Sequence, residues 1–308
     1  MKSVFSVLQT ALPVFLALVL GMLCRRKNIF TRDGIDTLKK VVVNITLPAV
    51  LFNAFASAQY TLSTVLLPVI MFVLCFGSLI LGRFLIKISG MKSRVAPFLA
   101  TCFEAGMLGY ALFALLFPDV SVSEFAVLDL GQTLFVVTLF KILISGEKDL
   151  KAMGKDMASM PMLWGLLAGV LLGATGLYAK LQVWGAADVL DAVTDLISAP
   201  TGMIILLTVG YDLVIREIPW KKTGGLLLMR IVVAGLFYVC LLVLNRTVLG
   251  GVIFEGAALL LVILPPPYVI PIFADEPAER TQIASVLSAS TLLTLIAFAI
   301  CSVFVNLG

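Results

Sequence analysis

Apolar residues fill long unbroken stretches of this chain, and polar residues gather in the short intervals between them. Stretches long enough for a helix to cross a bilayer, about 17–25 residues, fall at 4–24, 35–58, 62–82, 95–117, 121–143, 161–180, 187–211, 224–245, 252–274 and 282–306. Backbone polar groups have no water to bond in hydrocarbon, so these runs are predicted to be helices. The fifth and seventh carry the most polar residues. The longest polar interval, 146–160, leaves five runs before it and five after. An odd number in each half turns the second upside down relative to the first, the inverted-repeat arrangement of many membrane carriers. The expected fold is therefore an all-α membrane protein of ten transmembrane helices. Its parts are a five-helix repeat over 1–145, a cytoplasmic loop over 146–160 and a second, inverted five-helix repeat over 161–308.

Corresponding runs carry corresponding interruptions. Run 2 holds Pro48 in NITLPAVLF and run 7 holds Pro200 in LISAPTGM; run 4 has a glycine-rich centre, FEAGMLGYA, and run 9 reads PPPYVIP. Each proline lacks a backbone donor and clashes with the preceding helical turn. Pro265, Pro266 and Pro267, followed by Pro271, predict an unwound stretch at bilayer depth. Half-helix N-termini at such a break attract anions. The plainer alternative is a kink used only for packing. Likewise Gly106 and Gly109 permit a close helix contact, but Glu104 stands beside them. A carboxylate near the membrane centre costs about 2.5–3.5 kcal/mol on insertion scales and is tolerated facing a cavity or a partner. Glu104 is thus expected to line a central cavity and to bind a proton, or else to pair with Lys141 or Arg230. Asn44, Asn53, Asp129, Gln132 and Asp195 are further polar groups inside runs, whereas Asp212 lies at a run end and is expected to be solvated. Asp129 and Gln132 are one turn apart, on one face, suited to a cavity or to helix–helix hydrogen bonds.

Composition agrees with the runs. Apolar residues make up 61% and charged residues 13% of the 308, against about 45–50% and 25% in a soluble domain. The net charge of +4 is a matter of topology. When lysines and arginines are assigned to alternate sides, all but Lys2, Lys180 and Arg246 of the 22 fall on one side. By the positive-inside rule that side is cytoplasmic, so both termini are expected outside, most simply in a bacterial inner membrane. Basic residues follow the first run and no small-residue cleavage motif is present, so run 1 is expected to be a retained helix. There is no histidine, which excludes imidazole metal sites and Ser-His-Asp triads. The five cysteines stand singly, at no metal-ligand spacing, and are expected to be buried thiols. No G-x-x-x-x-G-K-[ST] or G-x-S-x-G motif occurs, which argues against a one-chain ATP-driven pump or a serine hydrolase. Nothing calls for a cofactor or a metal, and nothing points to a nucleic-acid partner.

Over nearly its full length the chain resembles the auxin efflux carrier family, which includes plant carriers and bacterial permeases for malate or malonate. The resemblance rests on VVVNITLPAVLF in run 2, the glycine motif of run 4, DLGQTLFVVTL in run 5 and LPPPYVIPIFADE in run 9. It implies that broken helices 4 and 9 cross near the midplane, and that one domain moves in an elevator-like manner to expose a substrate alternately. It also implies a small carboxylate substrate beside that crossing, near Glu104, Gly106, Gly109, Tyr110, Pro265, Pro266, Pro267 and Tyr268, with Asn44, Asp129 and Gln132 as further cavity groups. Where the plant carriers keep an asparagine and a proline, this chain has Glu104 and Ala111. The expected function is therefore secondary transport of a small organic anion, driven by a gradient and coupled to protons through Glu104. Its partners are the solute and the lipid bilayer, with a homodimer admissible. The rivals are a sodium-coupled carrier of bile-acid-symporter type with an amphipathic or cationic substrate, and an intramembrane enzyme or receptor. Asp129 and Asp195 are the conceivable pair for aspartyl proteolysis.

Overall fold

The computed structural model describes residues 4–58, 60–91, 93–145, 154–155, 158–213, 218–273 and 277–307, and among them every regular element is helical. In chain order the helices are α1 (Val4–Arg26), α2 (Arg32–Ala56), α3 (Leu62–Ser89), α4 (Ala105–Leu116), α5 (Ser123–Ile144), α6 (Pro161–Ala174), α7 (Ala186–Asp212), α8 (Trp220–Thr247), α9 (Glu255–Ile263) and α10 (Pro277–Leu307). Seven are long and apolar enough to cross a bilayer: α1, α2, α3, α5, α7, α8 and α10. An eighth crossing follows if α6 is taken with Leu177–Val183, from which it is bent by 71°. Runs 4 and 9 are not continuous spans. A one-turn helix, Ala96–Leu99, precedes α4 across an irregular stretch, and α9 ends at Ile263 ahead of the three prolines.

Apart from the amphipathic first parts of α2 (Arg32–Val41) and α7 (Ala186–Ser198), the long helices are apolar on every side, as expected where one face meets lipid and the other meets protein. On α3, Val65, Val69, Val73, Ile80, Phe84 and Ile88 point outward, while Leu67, Met71, Cys75, Leu79 and Ile86 are buried. Glycines set how closely some of these helices approach. A Cβ on Gly21 of α1 would lie 2.1 Å from the Leu207 carbonyl oxygen of α7, and one on Gly210 of α7 would lie 2.2 Å from that of Leu18. Gly165, Gly169 and Gly173 seat α6 and its end on Pro48, Phe52 and Phe55 of α2 in the same way. Close approach maximises dispersion contact where no hydrophobic force drives one apolar helix onto another.

The proline interruptions have local causes. Pro48 has no N–H to give to the preceding turn, and α2 widens into a π-turn over Val42–Thr46, with the Leu47 amide reaching back to the Val42 carbonyl. Pro200 interrupts α7 between its halves Ala186–Ser198 and Thr201–Asp212. After α9, Leu264 is extended, and helical geometry returns only as the 3-10 turn Ile270–Phe273. Cys24, Cys75 and Cys102 are buried as expected, but Cys301 is half-buried and Cys240 is exposed on α8, where the helix faces outward. Asp212 is not merely solvated: Arg32 and Lys39 each reach one of its carboxylate oxygens at 2.5 Å, joining the ends of α2 and α7.

Candidate functional site

The two interrupted segments meet at their breaks. The Glu104 amide donates to the Pro265 carbonyl at 2.9 Å, a backbone bond between chain segments far apart in sequence. Unwound backbone at this depth must find partners, and side chains of neighbouring helices supply them. Gln132 of α5 acts as a surrogate strand: its Oε1 accepts from the Phe103 amide and its Nε2 donates to the Phe103 carbonyl, each at 2.8 Å. Thr294 of α10 donates to the Ile263 carbonyl at 2.5 Å.

Arg230 of α8 holds the carbonyl side of both breaks. Its guanidinium donates to the carbonyls of Leu99 and Cys102, each at 3.1 Å, and to that of Leu264 at 2.6 Å, while lying 5.4 Å from the centre of the Phe103 ring. Cys102 takes a positive φ of 61°, a region costly for a side-chain-bearing residue, and its carbonyl is turned to Arg230 there. Arg230 therefore serves the break and does not belong with the charges at a membrane face, where its sequence position had put it.

Glu104 holds the amide side. One carboxylate oxygen accepts from the Met107 amide at 2.9 Å, at the start of α4, and the other accepts from the Tyr268 amide beyond the prolines. It pairs with neither Arg230 nor Lys141 among the described residues. Pro265, Pro266 and Pro267 are buried at the crossing. Gly109 is buried against Phe125 and Leu264, with no room for a Cβ. Gly106 lies next to Glu104 and Leu47. The Tyr268 hydroxyl meets Thr291 of α10 at 2.9 Å.

A second polar knot adjoins the first. Asp129 accepts from the Tyr110 hydroxyl at 3.0 Å, and from Gln132 and Thr133 at 3.1 Å each. Asp129 and Gln132 thus do share a face, directed at the crossing. Asn44 stands apart: it is exposed, and its amide donates to the Lys40 carbonyl of its own helix at 2.8 Å.

Beside the crossing lies a cavity of about 540 Å³, walled by α1, α2, α4 and α7 with Ser121 and Val122 just before α5. Tyr110 links it to the break, since the residue lines the cavity and its hydroxyl bonds Asp129. Asn53 and Asp195 face each other across the wall, 3.1 Å apart, with Asn53 also accepting from Thr194 at 2.6 Å. Asn53 and Asp195 were visible in the sequence as polar residues within runs. Nothing local to either marks them as neighbours, because they come from α2 and α7.

No family model matches the chain. Over 176 residues it is 27% identical to a protein of Methanothermobacter thermautotrophicus named an uncharacterized transporter. The match covers 55% of this chain and 58% of that protein, so the chain spans little more than half the length of this relative. The chain is thus a helical membrane protein with sequence similarity to a protein named as a transporter.

Proposed function

We propose that this protein is a secondary active transporter of a small organic solute, working by alternating access. The observation that carries the reading is the backbone contact between two broken segments, Glu104 to Pro265, beside a solute-sized cavity. Discontinuous helices that meet at the membrane midplane are how carriers of this type build substrate and coupling-ion sites. Counting each broken segment as a crossing gives ten spans, in inverted repeats over 1–145 and 161–308, with both termini outside and the interval 146–160 cytoplasmic. Most of that interval lies outside the described residues. The packing supports the repeat: exchanging the halves converts the α1–α7 pair into the α6–α2 pair, and both pairs are seated on glycines. In this reading α1, α2, α6 and α7 form a frame. The remaining helices carry the crossing past it, with Glu104, Gly106, Gly109, Tyr110 and Pro265–Tyr268 beside the solute.

Two cargo classes follow from the sequence, a small organic acid such as a dicarboxylate and an amphipathic or cationic solute. Coupling is to protons through Glu104, the buried carboxylate at the crossing. Purified protein in liposomes loaded with unlabelled solute should exchange it for labelled solute from a panel of both classes. Conversion of a panel compound to product, with no exchange of any of them, would support an intramembrane enzyme instead.

A further inference from the structure

We infer that the cavity between α1, α2, α4 and α7 binds an organic cation, a small molecule with an apolar body and a protonated amine held by Asp195. The inference rests on the transporter reading above and names its cargo class.

Asp195 lies in the first half of α7, a helix long and apolar enough to cross a bilayer, about 14 Å from its start at 1.5 Å per residue, and its exposed side chain lines the cavity. A carboxylate within such a helix is kept where it faces a partner or a cavity. Its protein partner is a neutral amide, the Nδ2 of Asn53 at 3.1 Å on Oδ1. The Thr194 hydroxyl lies 2.6 Å from the Asn53 Oδ1 and also within reach of the Leu190 and Asp191 carbonyls, and the Asn53 N–H groups are directed toward Asp195. Among the described residues no donor reaches Oδ2 and no lysine or arginine pairs with this carboxylate. Among the described residues that line the cavity, Asp195 alone carries a charge.

The remaining walls are mostly apolar, with Pro13, Val50, Leu115, Met203 and Leu206, and carry the neutral polar side chains of Asn53, Ser57, Tyr110, Ser121, Ser198 and Thr201. A volume of about 540 Å³ falls within the roughly 300–1,000 Å³ of small-molecule sites. One fixed negative charge beside mostly apolar walls selects a single positive charge on an apolar body, the charge meeting Asp195 and the body meeting the walls. An organic acid meets the opposite conditions. Asp195 repels it in the cavity, and the two amides that would hold it at the crossing, those of Met107 and Tyr268, are already occupied by Glu104.

Phenethylammonium and phenylacetate have closely similar bodies and opposite charges, so they test the sign directly. In thermal unfolding of the purified protein, phenethylammonium should raise Tm with dose, by mass action, and phenylacetate should not. Asp195→Asn keeps the shape and the Asn53 contact, and should weaken the amine's apparent Kd on the order of tenfold or more, the equivalent of about 1.4 kcal/mol. Met203→Trp, which fills the cavity from the second half of α7, should weaken it as well. Stabilisation by phenylacetate in place of the amine, an unchanged Kd in both variants, or no shift with either probe would each overturn the assignment. Exchange of labelled phenethylammonium in liposomes separates the two readings. Binding without exchange supports the site and removes the transporter reading; exchange that is lost in Asp195→Asn supports both.

Discussion

Arg230 and Glu104 carry opposite charges at one crossing, yet each is committed to backbone. The guanidinium satisfies three carbonyls left open where helices end, and the carboxylate satisfies two amides left open where they resume. Each charge also opposes the partial charge of the helix ends it meets. Arg230→Met would strand all three carbonyls, at about 1–3 kcal/mol for each buried group left unsatisfied. It should fail to give a monodisperse protein by size-exclusion chromatography, while Arg230→Lys, with three donors, should recover part of the yield. Glu104→Gln keeps one acceptor oxygen where the carboxylate has two, so the Met107 or the Tyr268 amide loses its partner. Thermal stability should fall by about 1–3 kcal/mol, and flux should lose its response to a proton gradient while solute exchange survives. A stable Glu104→Gln protein that still concentrates solute in response to that gradient would sink proton coupling at this residue. Glu104 was legible in the sequence because an ionisable residue among glycines at bilayer depth is costly. The role of Arg230 was not, since its partners are carbonyls, which every residue has.

At the scale of elements, prolines decide where helices stop and glycines decide how near they come. Replacing Pro266 and Pro267 together with alanine removes about 3 kcal/mol of helix-breaking preference per site. The double variant should lengthen α9 beyond Ile263, insert normally and lose solute exchange. Full exchange in a well-expressed double variant would reduce the prolines to packing kinks. Gly131 of α5 is as demanding as the glycines of α1 and α6: a Cβ there would sit 2.0 Å from the Pro68 carbonyl oxygen of α3. Gly131→Ala must push two helices apart, and should cost about 1–3 kcal/mol, the usual penalty of overpacking, seen as a lower Tm in detergent. Gly224→Ala, on an open face of α8 with nothing within 4 Å, is the control and should leave Tm unchanged or slightly raised. The interruptions at Pro48, Pro200 and Pro265–Pro267 were legible from residue type alone. The π-turn over Val136–Phe140 in α5 was not, because no proline or glycine marks it.

For the whole molecule, the orientation we propose from the basic residues is tested by a reporter experiment. Fusions after Gly154 and after Gly308 should report opposite sides of the membrane, the first cytoplasmic; the same side for both would break the ten-crossing count. That count is where run length and structure part. Hydropathy is additive along the chain, so it registers runs 4 and 9 as spans, whereas the helices there are interrupted and α4 and α9 alone are too short to cross. Sequence by itself determined what depends on residue type and local order. It determined the helical membrane class, the runs, the sites of interruption, and the presence of costly carboxylates inside them. Only the tertiary structure decided which groups meet: Glu104 with the Tyr268 amide, Arg230 with both breaks, Asn53 with Asp195 across a cavity, and Asn44 with none of these. The reason is physical. A hydrogen bond or an ion pair is set by distance and angle between elements remote in sequence, and helix packing in lipid rests on shape complementarity that no pattern of apolar and polar positions encodes.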